Sequence, residues 1–176
     1  MKKLGFLFIA LVGFAVSSKA VDTKTATANA TARIVKPITI HKDVDLAYGL
    51  IGASAGGGVV LMNTAGTASV LSGTVTLPTG AVTRSVASFT VSGDKSTGYA
   101  ITLPANGVVT LSGTGTAMAV DNFKALSTGV GSEGLVGMLD ATNGQDVIKV
   151  GAELTVNANQ ASGSYTSTFD VTVDYN

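Results

Sequence analysis

Gly52-Ala53-Ser54-Ala55-Gly56 has the G-x-S-x-G spacing that, at a sharp strand-to-helix turn, exposes a serine hydroxyl for nucleophilic attack. That chemistry needs an acid and a histidine downstream of the serine. The single histidine, His41, lies upstream, and Ser54 is followed by a glycine run and an apolar strand pattern instead of a helix. A chance match of a short pattern is the better reading. Gly129-x-Gly131-x-x-Gly134 has dinucleotide-loop spacing, but the loop must open a helix inside a βαβ unit so that the helix N-terminus can hold a pyrophosphate. No such unit is legible, so a glycine-rich loop is expected there.

Asp140-Ala141-Thr142-Asn143-Gly144-Gln145-Asp146 gathers oxygen donors near a tight turn, the kind of ligand set calcium takes. Its spacing departs from the EF-hand loop at the third, fifth and twelfth places, and a plain turn is the better reading. His41 sits beside Lys42 and Asp43 as a surface or edge imidazole, and Asp43, Asp45, Asp121 and Asp170 read as solvated strand-end charges. With no cysteine, thiolate nucleophiles, disulfides and zinc–cysteine sites are excluded. No residue is assigned as catalytic, cofactor-binding or metal-ligating, and the protein is expected not to be an enzyme.

The elements that carry these residues are short strands. The chain has 176 residues, 45% apolar and 12% charged, enough to build a core. Met1-Lys2-Lys3 followed by the uncharged Leu4–Val16 and by Ser18-Lys19-Ala20 has the form of a secretory signal peptide over residues 1–20, cut after Ala20. Its apolar run is too short to cross a bilayer, and no later stretch is long enough. A single exported domain over 21–176 is expected, in the periplasm or on the outer surface. Removing Lys2, Lys3 and Lys19 from the 11 basic residues leaves eight against 11 acidic ones, which argues against a nucleic-acid partner.

Over 21–176 the dominant period is two. Strands are expected at Thr25–Val35, Ile38–His41, Val59–Met62, Ser69–Leu77, Val86–Val91, Tyr99–Leu103, Val108–Leu111, Met118–Phe123, Val147–Val156 and Ser164–Tyr175. Turn residues separate them, among them Asn106-Gly107 and Asn143-Gly144. About ten short strands at this spacing predict an all-β, immunoglobulin-like antiparallel β-sandwich, with 124–146 forming a long loop or holding one short helix. Tyr48, Phe89, Tyr99 and Phe123 alternate with apolar neighbours as core aromatics do. Without tryptophan, a sugar-stacking platform is the weaker reading of them.

Both ends of this region alternate strictly. Ala26, Ala28, Ala30, Ala32 and Ile34 share one face of the first segment. Tyr165, Phe169, Val171, Val173 and Tyr175 share one face of the last, which begins at Gly163. A one-residue slip there would bury Asp170 and Asp174.

The stretches 31–40 (TARIVKPITI), 87–93 (ASFTVSG), 101–104 (ITLP) and 150–156 (VGAELTV), with Asn159-Gln160 and the last strand, resemble the bacterial secreted family catalogued as domain of unknown function 4402. The ending is also similar to fimbrial subunits assembled by the chaperone–usher route, since Gly163 is fourteenth from the end and Tyr175 penultimate. That resemblance implies that residues 163–175 form an assembly strand held by a chaperone. It also implies that Thr23–Ile34 forms a donor strand for a neighbouring subunit. Two readings stay open: a structural or adhesive surface subunit that self-associates, or a monomeric secreted module binding glycan or matrix through loops such as 52–58 and 128–142.

Overall fold

The structure, a computed structural model, describes residues 22–80 and 83–176. The expected leader lies outside the described residues. Twelve strands and no helix are present among them: β1 (Thr39–Val44), β2 (Gly58–Met62), β3 (Ala68–Gly73), β4 (Ala87–Ser92), β5 (Gly98–Thr102), β6 (Val109–Gly113), β7 (Met118–Ser127), β8 (Ser132–Glu133), β9 (Val136–Met138), β10 (Gln145–Val156), β11 (Tyr165–Thr166) and β12 (Thr172–Tyr175). Every strand pairing is antiparallel. The larger sheet runs β1-β4-β10-β7-β6-β11, with β2 also on β10, β3 on β2 and β8 on β7; the smaller runs β12-β5-β9. The protein is an all-β antiparallel sandwich.

β10 is the spine. Its even-numbered residues Ile148, Val150, Ala152, Leu154 and Val156 are buried on one face, as a period-two run must place them. Each aliphatic side chain so buried contributes roughly 1.5–3 kcal/mol. Along one edge β10 pairs with β4 through Val150, and from Ala152 onward it pairs with β2. Gly151 marks the change of partner, because a Cβ there would run into the Met62 carbonyl oxygen. Two buried clusters result, one around Val60, Met62, Val120 and Leu154, the other around Phe89, Val91, Tyr99 and Ile148; Phe169 packs against both. Its ring lies 6.4 Å from Phe89, edge-on, and 5.1 Å from Phe123.

Four expectations are corrected. The strand expected over Thr25–Val35 does not form: residues 22–35 carry no strand and all are exposed. Four methyl groups are too little apolar surface to offset the backbone entropy of ordering ten residues, roughly 1–2 kcal/mol each. The strand over Ser69–Leu77 ends at Gly73, whose φ of +84° turns the chain beside Gly57 and Gly58. Residues 124–146 are neither a long loop nor helical: β7 continues to Ser127, a tight turn follows, and β8 and β9 come before the 140–144 turn. The last segment is not one strand but two. β11 pairs with β6 in the larger sheet and β12 with β5 in the smaller, so residues 167–171 cross between sheets. The expected alternation survives this crossing, with Tyr165, Phe169, Val171, Val173 and Tyr175 inward-facing or half-buried and the residues between them exposed.

Candidate functional site

A cleft of about 700 Å³ opens in the sandwich, between residues 46–53 on one lip and 160–169 on the other. Its floor is aliphatic: Val109, Leu111, Met118, Val120, Leu154 and Val156, presented by the inward faces of β6, β7 and β10. Tyr48, Tyr165 and Phe169 line its walls.

The first lip joins no ladder; its backbone bridges to other segments of the chain at two isolated points, Ala47 with Ser85 and Gly52 with Thr76. Arg84 holds it in place: its Nε donates to the Tyr48 carbonyl at 3.0 Å, and one terminal nitrogen donates to Leu50 O at 2.7 Å and Pro78 O at 3.1 Å. A planar guanidinium suits this task because its several fixed donors can satisfy several carbonyls at once. Gly49 and Ile51, between these anchored residues, make no backbone–backbone hydrogen bond among the described residues. The same is true of Phe169 on the second lip and of its neighbours Thr168 and Asp170, where the chain crosses from one sheet to the other.

Tyr48 is 7% exposed, and its hydroxyl is a buried side-chain polar atom with no hydrogen-bond partner among the described residues. Such an orphan costs about 1–3 kcal/mol. Burial, reinforced by the nearby Glu153 charge, raises its pKa, so it remains a neutral phenol able to donate.

The second polar feature is Asp146, only 4% exposed. Tyr99 Oη (2.7 Å) and Ser127 Oγ donate to its Oδ2; Thr128 Oγ1 (2.7 Å), Gly129 N (2.8 Å) and Val147 N (2.7 Å) donate to its Oδ1. Burial alone would raise this carboxyl's pKa, but the hydrogen bonds from Ser127, Tyr99, Thr128 and Gly129 outweigh it and hold the pKa below the ordinary range. Burial first, then the contact with Asp146, raises the pKa of Tyr99. With its acceptor sites taken, Asp146 is a knot tying β5, the turn after β7 and the start of β10. Parity in the sequence could have found it, because Asp146 occupies the inward register of β10.

The short motifs fall where their chemistry has no support. Ser54 donates or accepts at 2.7 Å with Thr74 Oγ1 and precedes a turn into β2. Gly129, Gly131 and Gly134 flank β8 with no helix after them. Asp140 caps the expected turn, accepting from Thr142 N (2.7 Å) and Asn143 N (3.0 Å), while Asp146 faces the core, so the two carboxylates serve different structures. His41 lies exposed in β1 opposite Thr90.

The candidate assembly residues have local work. Gly163 adopts φ +150°, and a Cβ there would collide with the Thr114 side chain. Tyr165 Oη donates to Ala161 O at 2.8 Å. Val173 is core, while Phe169 and Val171 pack against it. Ala26, Ala28, Ala30, Ala32 and Ile34 are all exposed, Ile34 to 97%. Sequence reasoning missed the cleft, Arg84 and the orphaned hydroxyl, since all three depend on segments far apart in the chain.

Fold and site together define an antiparallel β-sandwich domain with an open apolar seam. The chain belongs to the family described as Domain of unknown function (DUF4402), whose model matches residues 38–175, from the threshold of β1 to the end of β12. No curated protein and no solved structure matches it.

Proposed function

We propose that this is an exported, non-enzymatic structural or adhesive surface protein, similar to a fimbrial subunit, that self-associates by strand donation. The observation that carries the reading is the arm. Residues 22–35 are wholly exposed and join no strand ladder, although their alternation is that of a strand with one small apolar face. Exposed strand-forming segments with free main-chain groups are templates for pairing with another chain. The leader-like first twenty residues support export, and the ending supports the fimbrial analogy, in which a chaperone would hold the last strand before assembly.

Mature protein should form heat-labile high-mass species, seen by electron microscopy and light scattering. Deleting residues 21–32 should abolish them while far-UV circular dichroism and the unfolding midpoint stay unchanged. Loss of the fold on that deletion would assign the arm to its own domain instead and end the proposal. A second reading, a monomeric module binding glycan or matrix, draws on the cleft, whose volume falls in the range of small-ligand sites. A strictly monomeric mature protein that retains polysaccharide would favour it.

A further inference from the structure

We infer that the cleft between residues 46–53 and 160–169 is a binding site for a small neutral ester of an aliphatic acid, whose acyl chain lies on the floor and whose carbonyl oxygen accepts a hydrogen bond from the Tyr48 hydroxyl. The inference goes beyond both readings above and needs neither the arm nor a second copy of the chain.

Three observations select this chemistry. The floor, Val109, Leu111, Met118, Val120, Leu154 and Val156, is wholly apolar and favours an aliphatic chain by taking its surface out of water. Charge is the second observation: among the described residues, none that lines the cleft is charged. Arg84 spends its donors on the carbonyls of Tyr48, Leu50 and Pro78 and is not part of the lining. The Glu153 charge lies near enough to act on Tyr48. An anionic ligand would meet repulsion and no cation, whereas a neutral one loses nothing. The third observation is the Tyr48 hydroxyl, the one buried side-chain polar atom among the described residues without a hydrogen-bond partner, on a residue that lines the cleft. A phenol that needs an acceptor is matched by an ester carbonyl, the neutral acceptor that an acyl chain brings with it.

Size and rim agree with this occupant. About 700 Å³ is the volume of a small-molecule site. A sugar would set its hydroxyls against the aliphatic floor without partners. Ser162, Ser164 and Thr166 are exposed on the second lip, so hydroxyl groups stand at the rim where the alcohol portion of an ester would emerge into water.

The methionines provide the test. Met118 lies on the cleft floor, while Met138 stands exposed on β9. Mature full-length protein with isotope-labelled methionine methyls is titrated with methyl octanoate and followed by NMR. The Met118 signal should shift saturably while that of Met138 stays in place. Octanoate, the charged acid of the same chain, should bind about tenfold more weakly or worse. Methyl hexanoate, two methylenes shorter, should bind about fifteenfold more weakly, at about fourfold per methylene. Tyr48→Phe should weaken methyl octanoate about fivefold, the equivalent of one hydrogen bond, and leave the ratio between the two esters unchanged. A Met118 signal that methyl octanoate does not move, or moves no more than that of Met138, would overturn the site. Octanoate binding as tightly as its ester, or an unchanged affinity in Tyr48→Phe, would overturn the neutral-ester assignment. Maltose shifting Met118 where the ester does not would overturn it in favour of the glycan reading.

Discussion

The Tyr175 hydroxyl donates to the Lys36 carbonyl oxygen at 2.7 Å and accepts from the Asp94 amide at 2.6 Å, so the penultimate residue of the chain fixes the point from which the arm departs. Gly93 makes the approach possible, since a Cβ there would meet the Tyr175 hydroxyl. A penultimate tyrosine that invites an assembly reading thus has a structural task within its own domain.

Tyr175→Phe removes both hydrogen bonds and little else. At about 1 kcal/mol net per bond, the variant should lose about 2 kcal/mol. Urea denaturation should show a lower midpoint with an unchanged slope, and hydrogen exchange should speed up at the start of β1.

Asp146→Asn should be costlier. Five donors converge on this carboxylate, and an amide would turn two hydrogens of its own toward some of them, for a loss on the order of 3 kcal/mol. The wild type should also be acid-sensitive in a defined direction. The folded-state pKa of Asp146 lies below the ordinary aspartate value of 3.8, so its stabilisation is complete above that value and is lost as pH falls through the folded pKa. Exposed Asp140 shifts in the same direction, chiefly through the Asn143 and Thr142 amides. Unfolding midpoints measured from pH 7 down should hold until about pH 4 and then drop. The Asp146→Asn profile should be flatter.

Gly163→Ala places a Cβ against Thr114 at a φ that side chains rarely adopt, and should cost about 1–3 kcal/mol. Chemical denaturation reads the loss. A neutral substitution would mean that the turn into β11 relaxes freely.

Tyr48→Phe removes the orphaned hydroxyl without changing the packed ring. Stability of the unassociated chain should be unchanged or up to about 1 kcal/mol higher, the opposite of Tyr175→Phe. Urea denaturation of wild type and variant reads the difference, and a loss of more than about 1 kcal/mol would mean that the hydroxyl is not an orphan.

Much of the architecture is written in local pattern. The period-two runs at 59–62, 86–91, 99–103, 108–111, 118–123 and 147–156 all coincide with strands, because alternation says which side chains must leave water wherever the sheet lies. The burial parity of 165–175 was legible for the same reason. What alternation lacks is the identity of the neighbour. Nothing in Ser164–Tyr175 says that its first residues pair with β6 and its last with β5, since that depends on where two distant strands lie. The arm shows the converse, for residues 25–34 have the period of a strand but, with methyl groups on their apolar face, too little burial to become one unaided.

The sequence by itself determined the all-β class, the inward face of most strands and the absence of thiol chemistry, all of which follow from residue type and a period of two. Only the tertiary structure decided that Asp146 is a buried knot, that Arg84 anchors a lip, and that Tyr48 faces an aliphatic cleft with its hydroxyl unmet. These depend on through-space partners separated by tens of residues, and main-chain hydrogen bonding and packing assign such partners only once the sheets have closed.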